Sequence, residues 1–320
     1  MDSRKRDTDR WGESVQSVLT TLDIAIAAVY GLALFALAQW VSRDAAGDRQ
    51  DAQGYFLAGR ALPWWAIGAS LIAANISAEQ IIGMSGSGYA IGLAIASYEW
   101  MAAFTLLLVG KFLLPIFLHT GIYTMPQFLA QRYDERVKTV MAVFWLGVYT
   151  LVNLTSILWL GALAMSTVAG VDLTIGLVSL GLFALAYSLS GGLRAVALTD
   201  IVQVILLVIG GVMISWILLD QISEGAGPIA GFVSLSEQAS GKFHMILSRD
   251  HPHYASLPGL SVLLGGLWVM NLSYWGFNQY IIQRALAAKN VVEAQKGIAF
   301  AAFLKLLMPL IVVLPGIAMT

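Results

Sequence analysis

Ala73-Ala74-Asn75-Ile76-Ser77-Ala78-Glu79-Gln80 puts two amides, a hydroxyl and a carboxyl into the middle of an apolar run extending from Pro63 to Tyr89. Hydrocarbon about 30 Å thick takes roughly 20 residues of helix, so the run is long enough to cross a bilayer and is polar where polarity costs most. A second run, Leu257 to Ile282, is interrupted in the same way by Asn271-Leu272-Ser273-Tyr274-Trp275-Gly276-Phe277-Asn278-Gln279. Backbone unwound in lipid leaves amides and carbonyls unpaired at several kcal/mol each, unless they face a ligand, an ion or a wet cavity. Carbonyls freed near Ala73 and Ile76 suit Na+, since hard cations take oxygen ligands and no soft ligand is at hand.

Outward from these two runs, the chain divides into eight apolar stretches: Leu22 to Val41, Pro63 to Tyr89, Gly92 to Leu118, Val140 to Val168, Thr174 to Leu189, Thr199 to Leu219, Leu257 to Ile282, and Gly297 to the end. The interrupted runs are the second and the seventh. They stand an odd number of spans apart and therefore cross in opposite senses, which is the pattern of an inverted-repeat transporter with its site at mid-membrane. Composition agrees: 58% of the 320 residues are hydrophobic and 12% charged, with a mean hydropathy of +0.76, more apolar surface than a soluble core can hide. A net charge of −1 without a polybasic run excludes a nucleic-acid partner. The absence of cysteine excludes disulfides, thiolate zinc sites and a Cys nucleophile.

Residues 1–18 form a polar tail of mixed charge and lack the basic and apolar regions of a cleavable signal. Lys and Arg concentrate in alternate joints: Arg43, Arg49 and Arg60; Arg132, Arg136 and Lys138; Arg194; and Arg284, Lys289 and Lys296. These joints are expected on the cytoplasmic side, which puts the N-terminus and the long loop 220–256 outside. Thr320 falls within the last apolar stretch, so the chain is expected to be a piece of a longer protein and not to transport alone.

Glu99 and Lys305 lie inside spans, where a charge costs about 2.5–3.5 kcal/mol and persists beside a partner or water. Each is a site candidate, the alternatives being a structural ion pair or a side chain reaching for the interface. Glu79 divides evenly between function and helix packing. On a helix, Asn271, Tyr274, Trp275 and Asn278 share one stripe. An aromatic face beside amides and carboxylates is what a neutral polyol requires; the competing reading is ordinary packing with interhelical hydrogen bonds. Gly83, Gly86, Gly88 and Gly92 lack dinucleotide-loop spacing and read as close helix approach or a turn. The sequons at Asn75, Asn153 and Asn271 lie within spans and are not acceptors. His251-Pro252-His253 reads as a solvated loop rather than a metal site. No catalytic arrangement appears, and an enzyme is not expected.

On Tyr55-Phe56-Leu57-Ala58-Gly59-Arg60, Pro63 through Gln80, Gly83 through Tyr89, and Tyr274 through Arg284, the sequence resembles the sodium/solute symporter family, and within it the sodium/glucose cotransporter group. The resemblance implies an all-α membrane protein with a LeuT-type core of two inverted five-helix repeats. The first repeat would occupy 63–219 and the second would begin at 257–320, after a first helix over 22–41, so that the core here is incomplete. It implies sugar-hydroxyl partners at Asn75, Gln80, Glu99, Asn271 and Lys305, and a stacking aromatic at Tyr274 that closes the inner path. Met84, Tyr98 and Trp275 would be the other gate residues. It further implies Na+ ligands in the carbonyls of Ala73 and Ile76, with Asp200 on the Na+ exit route. Ala102 stands where sugar-carrying relatives have a contacting serine, which leaves the hexose open. The expected activity is Na+-coupled uptake of a galactose- or glucose-like monosaccharide at the cell (inner) membrane, with no obligate protein partner. A symporter for another neutral solute such as inositol, or a non-transporting sugar sensor, is the alternative.

Overall fold

The computed structural model describes residues 19–44, 57–257 and 259–320. The tail 1–18 and the joint carrying Arg49 lie outside the described residues, as do the side chains of Arg43, Glu79 and Arg194. No strand occurs among the described residues; one parallel bridge pairs Leu62 with Ala288. Helix α1 spans Thr21–Asp44. The second apolar run forms α2 over Trp64–Asn75 and α3 over Ala78–Ile91, bent by 64° where they meet. Then come α4 over Leu93–Thr120, α5 over Met125–Arg132 and α6 over Glu135–Ala169. After these follow α7 over Leu173–Ile222, α8 over Pro228–Gln238, α9 over Gly259–Phe277, α10 over Gln279–Leu286 and α11 over Val291–Ala318.

Among the described residues, six helices are long and apolar enough to cross a membrane, or seven if the bent α2–α3 pair is one span. Seven of the eight expected stretches map onto these one for one. The fifth and sixth share one helix: Leu173–Ile222 runs on without the joint expected between them. None of the residues there forbids helix. Gly191, Gly192 and the serines lower helical propensity by about 1 kcal/mol or less each, and no proline intervenes. Polarity therefore marked a joint that the backbone does not make.

Helix α11 lies along both halves of the bent span. A methyl on Gly68 would strike Phe300 and the carbonyl of Gly297, and one on Gly297 would strike Ile67 and the carbonyl of Trp64. Further along, Gly316 of α11 lies against the Ser85 carbonyl of α3 and Gly88 against that of Val313, while Ser85 Oγ donates to the Val312 carbonyl at 2.7 Å. Small residues in place of side chains bring the backbones together. Helix α4 packs on α11 and α9, and Ile67, Leu71, Ile72, Leu106, Val109, Ile281 and Ile298 form the buried centre. Gly92 has φ +89°, open to glycine, and ends α3 against the backbone of Lys242. Of the four glycines flagged in the sequence, Gly88 thus serves close approach and Gly92 a turn, whereas Gly83 and Gly86 have open space beside them. Val140, Leu146, Leu151 and Val152 of α6 are exposed, as lipid-facing side chains of a multi-pass membrane protein are.

Candidate functional site

The apolar run of α2 ends because Ile76 and Ser77 turn extended (φ −87°, ψ 103° and φ −112°, ψ 177°). The Ile76 amide still caps the Ile72 carbonyl at 2.9 Å. The carbonyls of Ala73, Ala74 and Asn75 come after it, where the extended turn interrupts the regular i to i+4 ladder. Ala73 and Ile76 sit at this break, Ile76 buried and Ala73 partly so. The second interruption has a different form. Helix α9 widens into a π-turn at Ser273–Phe277 and stops at Asn278, which is extended at φ −77°, ψ 122°.

Between the two breaks lies a cavity of about 500 Å³, within the range of small-molecule sites. Asn75 and Gln80 reach it from the first broken span, Asn271 and Tyr274 from the second, Glu99 from α4 and Lys305 from α11. Met84, Tyr98 and Trp275 line it as well, as does Ala102. These groups form one network. Lys305 Nζ and Glu99 Oε2 pair at 2.6 Å with side chains 0% and 4% exposed. Lys305 also donates to Asn75 Oδ1, and Gln80 Nε2 donates to the other oxygen of Glu99. Gln80 Nε2 lies 2.8 Å from Met84 Sδ. Asn75 Nδ2 donates to the Tyr274 hydroxyl at 3.1 Å, which shares a hydrogen bond of 2.7 Å with the Tyr280 hydroxyl. The Lys305 ammonium stands 5.3 Å over the Trp275 ring. A buried ion pair adds little net stability, so this one is better explained by what the cavity receives. The two readings of Glu99 and Lys305 are therefore not exclusive: the charges pair with each other and also face the cavity.

The stripe expected in the second broken span differs. The stripe of four includes Asn278, yet Asn278 is absent from the cavity wall; the π-turn and the break shift it out of register, and its Oδ1 instead accepts from the Tyr149 hydroxyl at 2.7 Å. Asn271 is already engaged, donating to the Leu267 carbonyl at 2.9 Å and accepting from Trp275 Nε1 at 3.2 Å. Its amide keeps one N–H and one lone pair for a ligand. Asp200 lies away from the cavity wall. Its Oδ2 accepts from Ser70 Oγ at 2.6 Å and pairs with Arg284 Nη2 at 3.3 Å, while Ser70 Oγ accepts from Arg284 Nε at 2.8 Å. Arg284, read in the sequence as a joint cation, is buried.

Sequence reasoning missed Asn153 and Tyr280, both on the cavity wall. Asn153 sits in a second π-turn, Tyr149–Leu154 of α6, an irregularity common at functional sites. The available signal was a lone amide in an apolar span, set aside as a sequon. Among the described residues no group of three or more His, Asp or Glu could hold a metal. In the long loop the Nδ1 of His251 accepts from the His253 amide at 3.2 Å, as in a turn.

A model of the sodium:solute symporter family matches residues 55–320. Over 305 residues the chain is 56% identical to a sodium/glucose cotransporter of Vibrio parahaemolyticus, covering 95% of this chain and 56% of that protein. It is 32% identical to mouse (Mus musculus) sodium/myo-inositol cotransporter 2, covering 94% of this chain and 46% of that one. The chain thus spans about half the length of these curated relatives. Among solved structures, the substrate-bound outward-open state of a Na+-coupled sialic acid symporter superposes with a TM-score of 0.79 at 23% identity, over 92% of this chain and 60% of that one. That likeness speaks for the fold.

Proposed function

This chain belongs to the sodium:solute symporter family, and from that premise we propose that it is a Na+-coupled symporter of a galactose- or glucose-like monosaccharide, working by alternating access. The observation that carries the reading is the meeting of both interrupted spans at one cavity whose wall alternates aromatic faces with paired amides, a carboxylate and an ammonium. Tyr274 and Trp275 offer rings to the CH face of a sugar. Asn75, Gln80, Glu99, Asn271 and Lys305 offer hydrogen bonds to its hydroxyls. Because Glu99 and Lys305 neutralise each other, the cavity favours a neutral solute over an ion.

Na+ would bind at the break of the first span through the carbonyls of Ala73 and Ile76, where helical donors end. An ion there stabilises the extended turn that also aims Asn75 into the cavity. Met84 and Tyr98 would close the outer side, and Tyr274 with Trp275 the inner. Asp200 would act on the ion's way out. One charge moving through 100 mV supplies roughly 2.3 kcal/mol, which at 1.4 kcal/mol per decade supports about fifty-fold accumulation before the Na+ gradient is added. The reading involves no chemical step and no obligate protein partner. It places the protein in the cell (inner) membrane with the N-terminus outside. The inositol relative and the alanine at 102 keep a cyclic polyol as the second reading.

The test is a competition panel for Na+-driven uptake by the natural full-length protein in liposomes, with galactose, glucose and myo-inositol as competitors. Lys305→Ala and Tyr274→Ala serve as controls. Uptake that needs Na+, is blocked by a hexose and falls at least ten-fold in both variants is expected. Uptake untouched by either substitution would show that the site lies elsewhere.

A further inference from the structure

Helix α10 begins without a cap of its own. Asn278 stands at its N-cap position, where an asparagine ordinarily turns its side-chain oxygen onto the amide two or three residues ahead. Here it does not. Its Oδ1 accepts instead from the hydroxyl of Tyr149, at 2.7 Å, and the same phenolic oxygen accepts the Gln279 amide at 3.3 Å. A side chain of α6 thus occupies the gap in the second broken span and accepts, from another helix, the first amide of α10. Asn278 is 3% exposed, so neither of its amide groups has ready access to water.

The same tyrosine bears on the inner gate. Its ring meets the Tyr280 ring edge to face, centroids 5.7 Å apart, and the Tyr280 hydroxyl is the partner of the Tyr274 hydroxyl at 2.7 Å. Tyr149 also stacks on Trp145, with ring centroids 5.4 Å apart. It opens the π-turn Tyr149–Leu154, whose extra residue puts Asn153 on the cavity wall. Tyr149 does not line the cavity.

We propose that Tyr149 is a positioning residue for the gate: its hydroxyl holds the break at Asn278 extended, and through Tyr280 it keeps Tyr274 across the inner side of the cavity. Without that hydroxyl, the Asn278 side chain and the Gln279 amide lose the partner that fixes them. The first turn of α10 then shifts and carries Tyr280 away from Tyr274. The consequence falls on the rate at which the gate opens rather than on the groups that bind solute. This inference rests on the proposed function for its transport reading, but its geometry does not depend on a sugar being the solute.

The experiment compares Tyr149→Phe, Asn278→Ala and the double variant with the parent full-length protein. Equilibrium binding and dissociation of labelled galactose in Na+ are measured, with thermal unfolding as a check on folding. The expected result is a dissociation constant within about two-fold of the parent and sugar release at least five-fold faster. The double variant should be no faster than the faster single one, because both substitutions cut the same link. Unchanged release in Tyr149→Phe, or effects that multiply in the double variant, would overturn the proposal.

A second readout separates this inference from the sugar assignment. The chain has no cysteine, so in a background stripped of any other thiol a single Ala102→Cys on the cavity wall reports entry of a small thiol reagent added from the Tyr274 side. Labelling should be several-fold faster with Tyr149→Phe. A parent that binds no galactose but shows this acceleration defeats the sugar reading and supports the strut; a parent that binds galactose with no acceleration does the reverse.

Discussion

Replacing Lys305 by alanine removes the ammonium that Glu99 holds at 2.6 Å. With side chains 0% and 4% exposed, the pair is largely shielded from bulk water and salt, so screening softens the loss little. The carboxylate left behind keeps one donor, Gln80, while Asn75 Oδ1 loses the ammonium it accepts from. Breaking a buried pair from one side costs about 3–5 kcal/mol, a shift of roughly a hundred- to several-thousand-fold in the unfolding constant at 1.4 kcal/mol per decade. Replacing both partners is different, since a neutral pair of similar volume is often as stable as the ions it displaces. Glu99→Gln with Lys305→Met should therefore recover most of the stability of the parent and none of the sugar uptake proposed for it. Unfolding followed by tryptophan fluorescence in detergent gives the first quantity, and Na+-driven uptake in liposomes the second. A loss below about 1 kcal/mol in Lys305→Ala, or sugar uptake restored in the double variant, would refute the reasoning.

Gly316→Ala drives a methyl into the Ser85 carbonyl, a backbone atom that cannot rotate away, whereas Gly181→Ala meets nothing. The first should lower the yield of monodisperse protein on size-exclusion chromatography, at a cost of about 2 kcal/mol or more, and the second should leave it unchanged or improved. Arg284→Ala strips Asp200 of its cation and leaves Ser70 as its remaining hydrogen-bond partner among the described residues. It should destabilise the protein by about 3 kcal/mol; if Asp200 serves the ion's exit, it should also alter the Na+ dependence of uptake, read from the Na+ concentration giving half-maximal rate.

The two broken spans were legible because lipid punishes unsatisfied polarity so strongly that a run of amides and hydroxyls at mid-depth has few explanations. The charged residues Glu99 and Lys305 were legible for the same reason. What could not be read was register. A π-turn inserts one residue without changing composition, so nothing in the letters around Tyr149 or Ser273 announces it. Asn278 consequently left the stripe that 3.6-residue spacing assigned to it, and Asn153 came onto the cavity wall unannounced. Arg284 was misplaced for a related reason. Counting cations in joints treats each as solvated, and only the fold brings Asp200, 84 positions away in sequence, to its guanidinium. The joint expected at Arg194 failed because glycines and serines weaken a helix without ending it.

The breaks are also held by parts of the chain remote from them. Glu293, in the first turn of α11, accepts the Trp64 amide at the start of α2 at 2.9 Å, and the Leu62 amide donates to the Ala287 carbonyl just past α10 at 3.2 Å. Asn75 at the end of α2 donates to Tyr274 in the π-turn of α9, and Gln279 at the start of α10 accepts the Met125 amide at 2.7 Å. Each interrupted helix is therefore tied to groups outside it. An ion at the proposed site that tightened the turn at Ile76 would move Asn75, and Asn75 is bonded to Tyr274 and Lys305, so the same displacement would reach the second span and the cavity wall. Coupling between two ligands requires an element that both bias. Here that element is Asn75: its backbone lies at the proposed ion site, its side chain lines the cavity proposed for the sugar, and Asn75→Ala should reduce the affinity that each ligand lends the other more than it reduces either alone.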